Sequence, residues 1–166
     1  ISQLKEQTTT ILIDADGNMS DKEKYVRSYY TQPEELIYIK QGFNVEIKKR
    51  LQGQRDIKDK KIVIINNFKE FSTKTGITEN DIRLMFAEGP KVNVYIIITS
   101  MYNDILGTFD KVTKLTKQII NQAIIVSRLY DQEFLPAKST NREPLLKPYE
   151  MYYFNDNEYQ KIRLLE

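Results

Sequence analysis

The chain has 166 residues, 25 basic and 23 acidic side chains, a formal net charge of +2, and neither cysteine nor histidine. Disulfides, zinc sites, thiol nucleophiles and His-dependent triads are therefore excluded, and any metal site would have to use carboxylate and carbonyl oxygens, a set suited to Mg²⁺ rather than Zn²⁺. The near balance of charge gives no general reason to expect nucleic acid or an anionic membrane as partner, and no apolar run approaches the ~20 residues that span a bilayer.

The length suits one α/β domain with a real core. The first residue is Ile1 rather than Met, and no signal peptide is visible, so an intracellular excerpt of a longer protein is expected. Ile1 to Gln7 reads as the end of a helix. Thr8 to Asp14 is a β-branched run, a strand stopped by Ala15-Asp16-Gly17-Asn18. Tyr25 to Tyr30 reads as a short second strand or edge segment. Thr31 or Gln32 caps a helix with Pro33 in its first turn and Glu34 and Glu35 at its positive end. Leu36, Ile39, Phe43, Ile47 and Leu51 then recur at helical spacing, and Gly53 ends the run. The Lys48-Lys49-Arg50 cluster reads as solvated. Ile57 to Lys61 reads as a charged loop.

Ile62 to Ile65 is a fully apolar strand that runs into Asn66 and Asn67. Thr78-Glu79-Asn80-Asp81 opens a further helix, with Ile82, Met85 and Phe86 on one face and Gly89-Pro90 closing it. Val92 to Thr99 is a strongly apolar strand. Lys114 to Gln122 is predicted helical, and Ala123 to Ser127 is predicted to be another buried strand. Pro136 to Pro148 reads as an irregular loop, and Tyr149 to Phe154 and Tyr159 to Leu164 as a β-hairpin around Asn155-Asp156-Asn157. Buried strands alternating with amphipathic helices predict an α/β fold with a mostly parallel sheet covered on both faces by helices, plus a C-terminal hairpin. Without an internal repeat or a low-complexity linker, residues 1–166 are expected to form a single domain.

The order of these elements resembles the P-loop motor core of the FtsK/SpoIIIE group of ring ATPases. Within that group it resembles the third, C-terminal ATPase domain of EssC-type proteins, the membrane-anchored motors of bacterial type VII secretion. The stretches that carry this are I-L-I-D-A-D-G-N (Ile11 to Asn18), I-V-I-I-N-N-F-K-E-F (Ile62 to Phe71), Asn80 to Ser100, Ile119 to Leu135, and Pro144 to Phe154. Their order is more specific than any one of them. The resemblance implies a RecA-like P-loop ATPase core, ATP and Mg²⁺ as cofactors, and a cytoplasmic domain of a protein anchored in the bacterial cell membrane. It implies as partners secreted protein substrates, other ATPase domains of the same chain, further secretion-system components and a ring of identical subunits; the balanced charge adds the expectation of no specific nucleic acid.

Departures from the group bear on activity. No G-x-x-x-x-G-K-[ST] occurs in these residues, so a phosphate-cradling loop is expected upstream of Ile1 or is missing. Asn66 and Asn67 stand at the Walker B place, where the group carries acids for Mg²⁺ and the attacking water. Ser100 replaces a Gln, and Tyr149-Glu150 replaces Gly-Arg.

The resemblance makes Asp14, Thr99, Ser100 and Arg128 candidate nucleotide-binding residues, and it assigns no metal ligand and no catalytic residue beyond the degenerate Asn66-Asn67 position. Each residue has a plainer reading. Two asparagines also end a strand and turn the chain. Asp14 and Asp16 are more often strand-end turn residues than catalytic acids, and small hydroxyls such as Thr99 and Ser100 are usually structural. Arg128 is expected to pair with Asp131 rather than act as a finger. The hairpin tyrosines either form a docking surface or alternate between core and solvent. Three functions stay open: a degenerate, substrate-recognising or regulatory domain of a secretion motor; an active DNA translocase; and a protein-binding module without nucleotide.

Overall fold

The computed structural model describes residues 8–101, 104, 110–132, 142–156 and 158–164. The helix end expected over Ile1 to Gln7 and residues 136–141 of the proline-containing loop lie outside these. The chain divides into two compact units, Ile1–Asp104 and Ile105–Glu166.

In the first unit, β1 (Thr8–Asp14), β2 (Ser28–Tyr30), β3 (Lys60–Asn66) and β4 (Val94–Ile98) form one sheet in the order β2-β1-β3-β4. All three pairings are parallel, with Ile13 opposite Ile65, Asp14 opposite Asn66 and Ile65 opposite Ile98. Parallel pairing aligns the carboxyl ends of the strands, so Asp14, Asn66 and Thr99 leave the sheet at one edge. One face carries Ile11, Ile13, Val63, Ile65 and Val94, all buried. The opposite face is covered only in part among the described residues, because Tyr95 and Ile97 are exposed at the β4 edge.

Helix α1 (Pro33–Leu51) starts with the Glu35 carboxylate accepting the Gln32 N–H. It buries Leu36, Phe43 and Ile47, whereas Leu51 is exposed. Arg50 corrects the solvated reading of the basic cluster, being only 4% exposed. It lies three residues after Ile47 and seven after Phe43, hence on the core face. Its Nε donates to Glu46 Oε1 at 2.9 Å, and its Nη1 donates to the carbonyls of Asp59 (2.7 Å) and Val92 (3.1 Å). Lys61 and Arg55 also pair with Glu46. Burial pushes the Glu46 carboxyl up, but hydrogen bonds from Lys61 and Arg50 outweigh that and hold it below its ordinary value.

Helix α2 (Phe68–Thr75) lies where no helix was expected. Asn67 in left-handed geometry (φ 55°) caps it, its Oδ1 accepting Glu70 N–H at 3.2 Å, and Gly76 (φ 56°) ends it. Phe71 is completely buried. Helix α3 (Glu79–Ile82) has the expected Thr78 cap, which accepts the Asp81 N–H. It does not close at Gly89-Pro90. It widens into a π-type stretch (Arg83–Glu88), then tightens into a 3₁₀ turn (Gly89–Val92) that ends at Asn93 with φ 59°. Asn93 therefore takes the left-handed role expected of Gly89. Gly89 serves close packing instead, since a Cβ there would lie 2.8 Å from the Val94 carbonyl oxygen.

In the second unit, α4 (Lys111–Ile119) begins at Asp110, whose side chain accepts the Thr113 N–H at 2.9 Å. β5 (Gln122–Ile125), β6 (Glu150–Asn155) and β7 (Glu158–Arg163) form a separate antiparallel sheet in the order β5-β6-β7. The hairpin is as expected. The buried strand expected over Ala123 to Ser127 is not: Ile124 is 63% and Val126 76% exposed. An antiparallel sheet needs only one face covered, so Ile124 of β5 stays exposed, and Val126 follows the end of the strand.

Candidate functional site

The carboxyl ends of parallel strands are where open α/β sheets place their ligand sites. Four of the candidate residues meet there. Asp14 ends β1 fully buried. Its Oδ2 accepts the Tyr29 hydroxyl and the Met19 N–H, both at 2.7 Å, and its Oδ1 accepts Asn66 Nδ2–H at 3.0 Å. The same Asn66 nitrogen donates to Asp16 Oδ1 at 3.0 Å. Asn66 Oδ1 accepts the Thr99 hydroxyl at 2.7 Å, and Thr99 Oγ1 accepts Asn67 N–H at 3.2 Å. Asn67 Nδ2 donates to Asp16 Oδ2 at 3.0 Å. Three strand ends are thus joined through two amides, two carboxylates and one hydroxyl.

Burial pulls the exposed Asp16 carboxyl upward, but hydrogen bonds from Asn67 and Asn18 help to outweigh it and hold the group below its ordinary value. Burial, and then the hydrogen bond to Asp14, push the Tyr29 hydroxyl up to about 12, so it stays protonated and donating. Lys74 of α2 reaches across to the Ala15 carbonyl at 2.7 Å and pairs with Glu70 at 3.2 Å.

The other candidates stand apart. Ser100, half-buried, directs its Oγ to the Met101 carbonyl at 3.5 Å. Arg128 belongs to the second unit and pairs with Asp131 through two hydrogen bonds of 2.7 Å, as the plainer reading expected. In that unit the Glu143 carboxylate also accepts the N–H groups of Leu129 and Tyr130, both at 3.0 Å. Tyr29 and Lys74 were not among the candidates. Tyr29 arrives by way of the β2 edge strand, which nothing in its own residues marks as a site element. Lys74 rides on the helix that the sequence pattern did not reveal.

The cluster does not fit Mg²⁺. Both carboxylates that converge here point at one amide nitrogen, a neutral hydrogen-bond donor, and the second oxygen of each already accepts further N–H or O–H groups. Among the described residues, no group of three or more acids is placed to hold a metal ion. An amide at the end of β3 also cannot take a proton from water.

No family model matches the chain. Over its whole length of 166 residues it is 45% identical to the type VII secretion system protein EssC of Staphylococcus aureus (strain MRSA252), and it spans 11% of that protein. The chain resembles EssC. The EssC of Geobacillus thermodenitrificans, solved as ATPases 2 and 3, superposes with a TM-score of 0.69 at 17% identity, over 94% of this chain and 31% of that one. EccC of Thermomonospora curvata (ATPases 2 and 3), solved in complex with a signal sequence peptide, superposes with a TM-score of 0.61 at 11% identity, over 95% of this chain and 30% of that one. The fold is accordingly the RecA-like α/β core of EssC and EccC ATPase domains. Among the described residues, no helix is long and apolar enough to cross a membrane.

Proposed function

We propose that this chain is the third, C-terminal ATPase domain of a type VII secretion motor of the EssC kind. It is degenerate in hydrolysis and acts in recognising export substrates and regulating export. Residues 1–166 work as one domain, on the cytoplasmic side of a membrane-anchored protein.

The observation that carries this reading is the end of β3. Asn66 and Asn67 supply no negative charge where a P-loop ATPase places its Mg²⁺-binding and water-polarising acids. The nearby carboxylates are occupied by amide, hydroxyl and main-chain donors. Without an acid there, hydrolysis by this domain falls by orders of magnitude. The energy for export then comes from another ATPase domain of the same protein, and this one contributes binding. The relation to EssC supports secreted proteins and further secretion components as partners, and the neighbour solved as ATPases 2 and 3 supports other ATPase domains of the same protein; a ring of identical subunits is part of the proposal. The EccC neighbour, solved with a signal sequence peptide, supports an export signal as the recognised element.

The test is phosphate release by the purified chain with Mg²⁺ and ATP, alongside a titration with the export-signal peptide of a cognate secreted protein. The expected result is background hydrolysis with saturable peptide binding. Robust turnover that is abolished by changing Asn66 or Asn67 would sink the proposal.

A further inference from the structure

Asn66 is bonded through every polar group of its side chain, an arrangement independent of whether the domain regulates export. An asparagine side chain offers two N–H donors and one carbonyl acceptor. At Asn66 all three are engaged: the nitrogen donates to Asp14 and Asp16, each at 3.0 Å, and the oxygen accepts from Thr99 at 2.7 Å. The two acids would repel each other across this gap if nothing positive stood between them. The amide hydrogens supply that positive potential without a formal charge.

We propose that Asn66 is a cation surrogate. Its amide clasps the carboxyl ends of β1, β3 and β4 without metal, and the single change Asn66→Asp converts the same surroundings into a divalent-cation site. An aspartate at position 66 would place a third carboxylate where Asp14 and Asp16 now find a donor. Clustered carboxylate oxygens are the ligands a hard cation such as Mg²⁺ takes, with waters filling the rest of its octahedron. The neutral amide makes a bound ion unnecessary, because its donors already serve both acids.

Thr99 and Asn67 extend the clasp. Thr99 donates to the Asn66 oxygen while accepting the Asn67 N–H, which ties the end of β4 to the start of α2. Asn67 closes the other side of Asp16. The clasp therefore also fixes the cap of α2, and its loss would be felt in that helix.

The experiment is thermal unfolding of the whole chain, followed by circular dichroism in EDTA and in millimolar Mg²⁺. The wild-type midpoint is expected to be the same in both. Asn66→Asp is expected to melt lower in EDTA, by about 5–10 °C, and to recover most of that with Mg²⁺. Asn66→Ala, which lacks both donor and acceptor, is expected to melt lower and to recover nothing. The double change Asp14→Asn with Asn66→Asp exchanges acid and amide across the buried contact: the new amide keeps an oxygen for the Tyr29 hydroxyl and the Met19 N–H and donates its own N–H to the new carboxylate, so it is expected to melt well above Asn66→Asp in EDTA, with little dependence on Mg²⁺. That variant keeps the test decisive if Asn66→Asp alone does not fold. A wild-type midpoint that rises with Mg²⁺ would overturn the proposal. So would an Asn66→Asp protein unaffected in EDTA, one whose loss Mg²⁺ does not restore, or a double variant that melts as low as Asn66→Ala.

Discussion

Replacing Arg50 by methionine tests how the lower edge of the parallel sheet is held. Methionine keeps the apolar stem of arginine and removes the guanidinium, so packing loss is small and the charge and its hydrogen bonds are what change. The guanidinium serves three acceptors: Glu46 Oε1 at 2.9 Å, the Asp59 carbonyl at 2.7 Å and the Val92 carbonyl at 3.1 Å. Removing one partner of a buried ion pair costs about 3–5 kcal/mol when the other charge is stranded. Glu46 is not stranded, since Lys61 and Arg55 still reach it. The ion-pair part therefore falls to roughly 1–2 kcal/mol, and two carbonyls left without their donor add about 1 kcal/mol each. The expected loss is about 3–4 kcal/mol, read as a lower midpoint in urea unfolding followed by circular dichroism. Changing Glu46 to leucine together with Arg50→Met is expected to cost less than the sum of the two single changes. A loss below about 1 kcal/mol for Arg50→Met would refute the claim that Arg50 holds these loops.

Two further outcomes are expected. The Glu46 carboxyl titrates lower folded than unfolded, so its contribution to stability is fully present above its ordinary value of 4.5 and is lost as pH falls through the lower, folded value. A pH series of unfolding midpoints should show that acid-side loss flattened in Glu46→Gln, and an unchanged slope would assign it elsewhere. Gly89→Ala should destabilise by about 1–2 kcal/mol, because crowding against the Val94 carbonyl 2.8 Å away outweighs the better helix propensity of alanine. A thermal midpoint that rises instead would show that the backbone gives way there.

Most of the first unit was legible in the residues because its signals are strong and local. The β-branched runs at Thr8–Asp14 and Lys60–Asn66, and the three- and four-residue spacing from Leu36 to Ile47, leave few alternatives. Helix α2 was not legible, because Phe68–Thr75 mixes hydroxyl and charged residues with only two phenylalanines and its cap, Asn67, reads equally as the end of the preceding strand. β5 was misjudged for the opposite reason: an isoleucine pair looks buried, yet an antiparallel sheet with one open face exposes one of the two. Arg50 was misjudged by composition, since a Lys-Lys-Arg run looks solvated until its third member is placed on the helix face shared with Phe43 and Ile47. At the site, parallel topology explains why Asp14, Asn66 and Thr99 converge, once the strands are correctly ordered. That one amide nitrogen would bridge two acids depends on side-chain angles that no spacing encodes.

Strand β3 is secured at both ends. Below, Arg50 grips the Asp59 carbonyl just before the strand begins, and above, Asn66 fastens its last residue to β1 and β4. Sliding such a strand along its neighbours by one side-chain repeat, about 6.6 Å, would break both fastenings at once and move Val63 and Ile65 out of register with Ile11 and Ile13. The centre of this sheet is thus a fixed strut, and any movement the domain passes to a neighbour must come from the loops and helices hung on it.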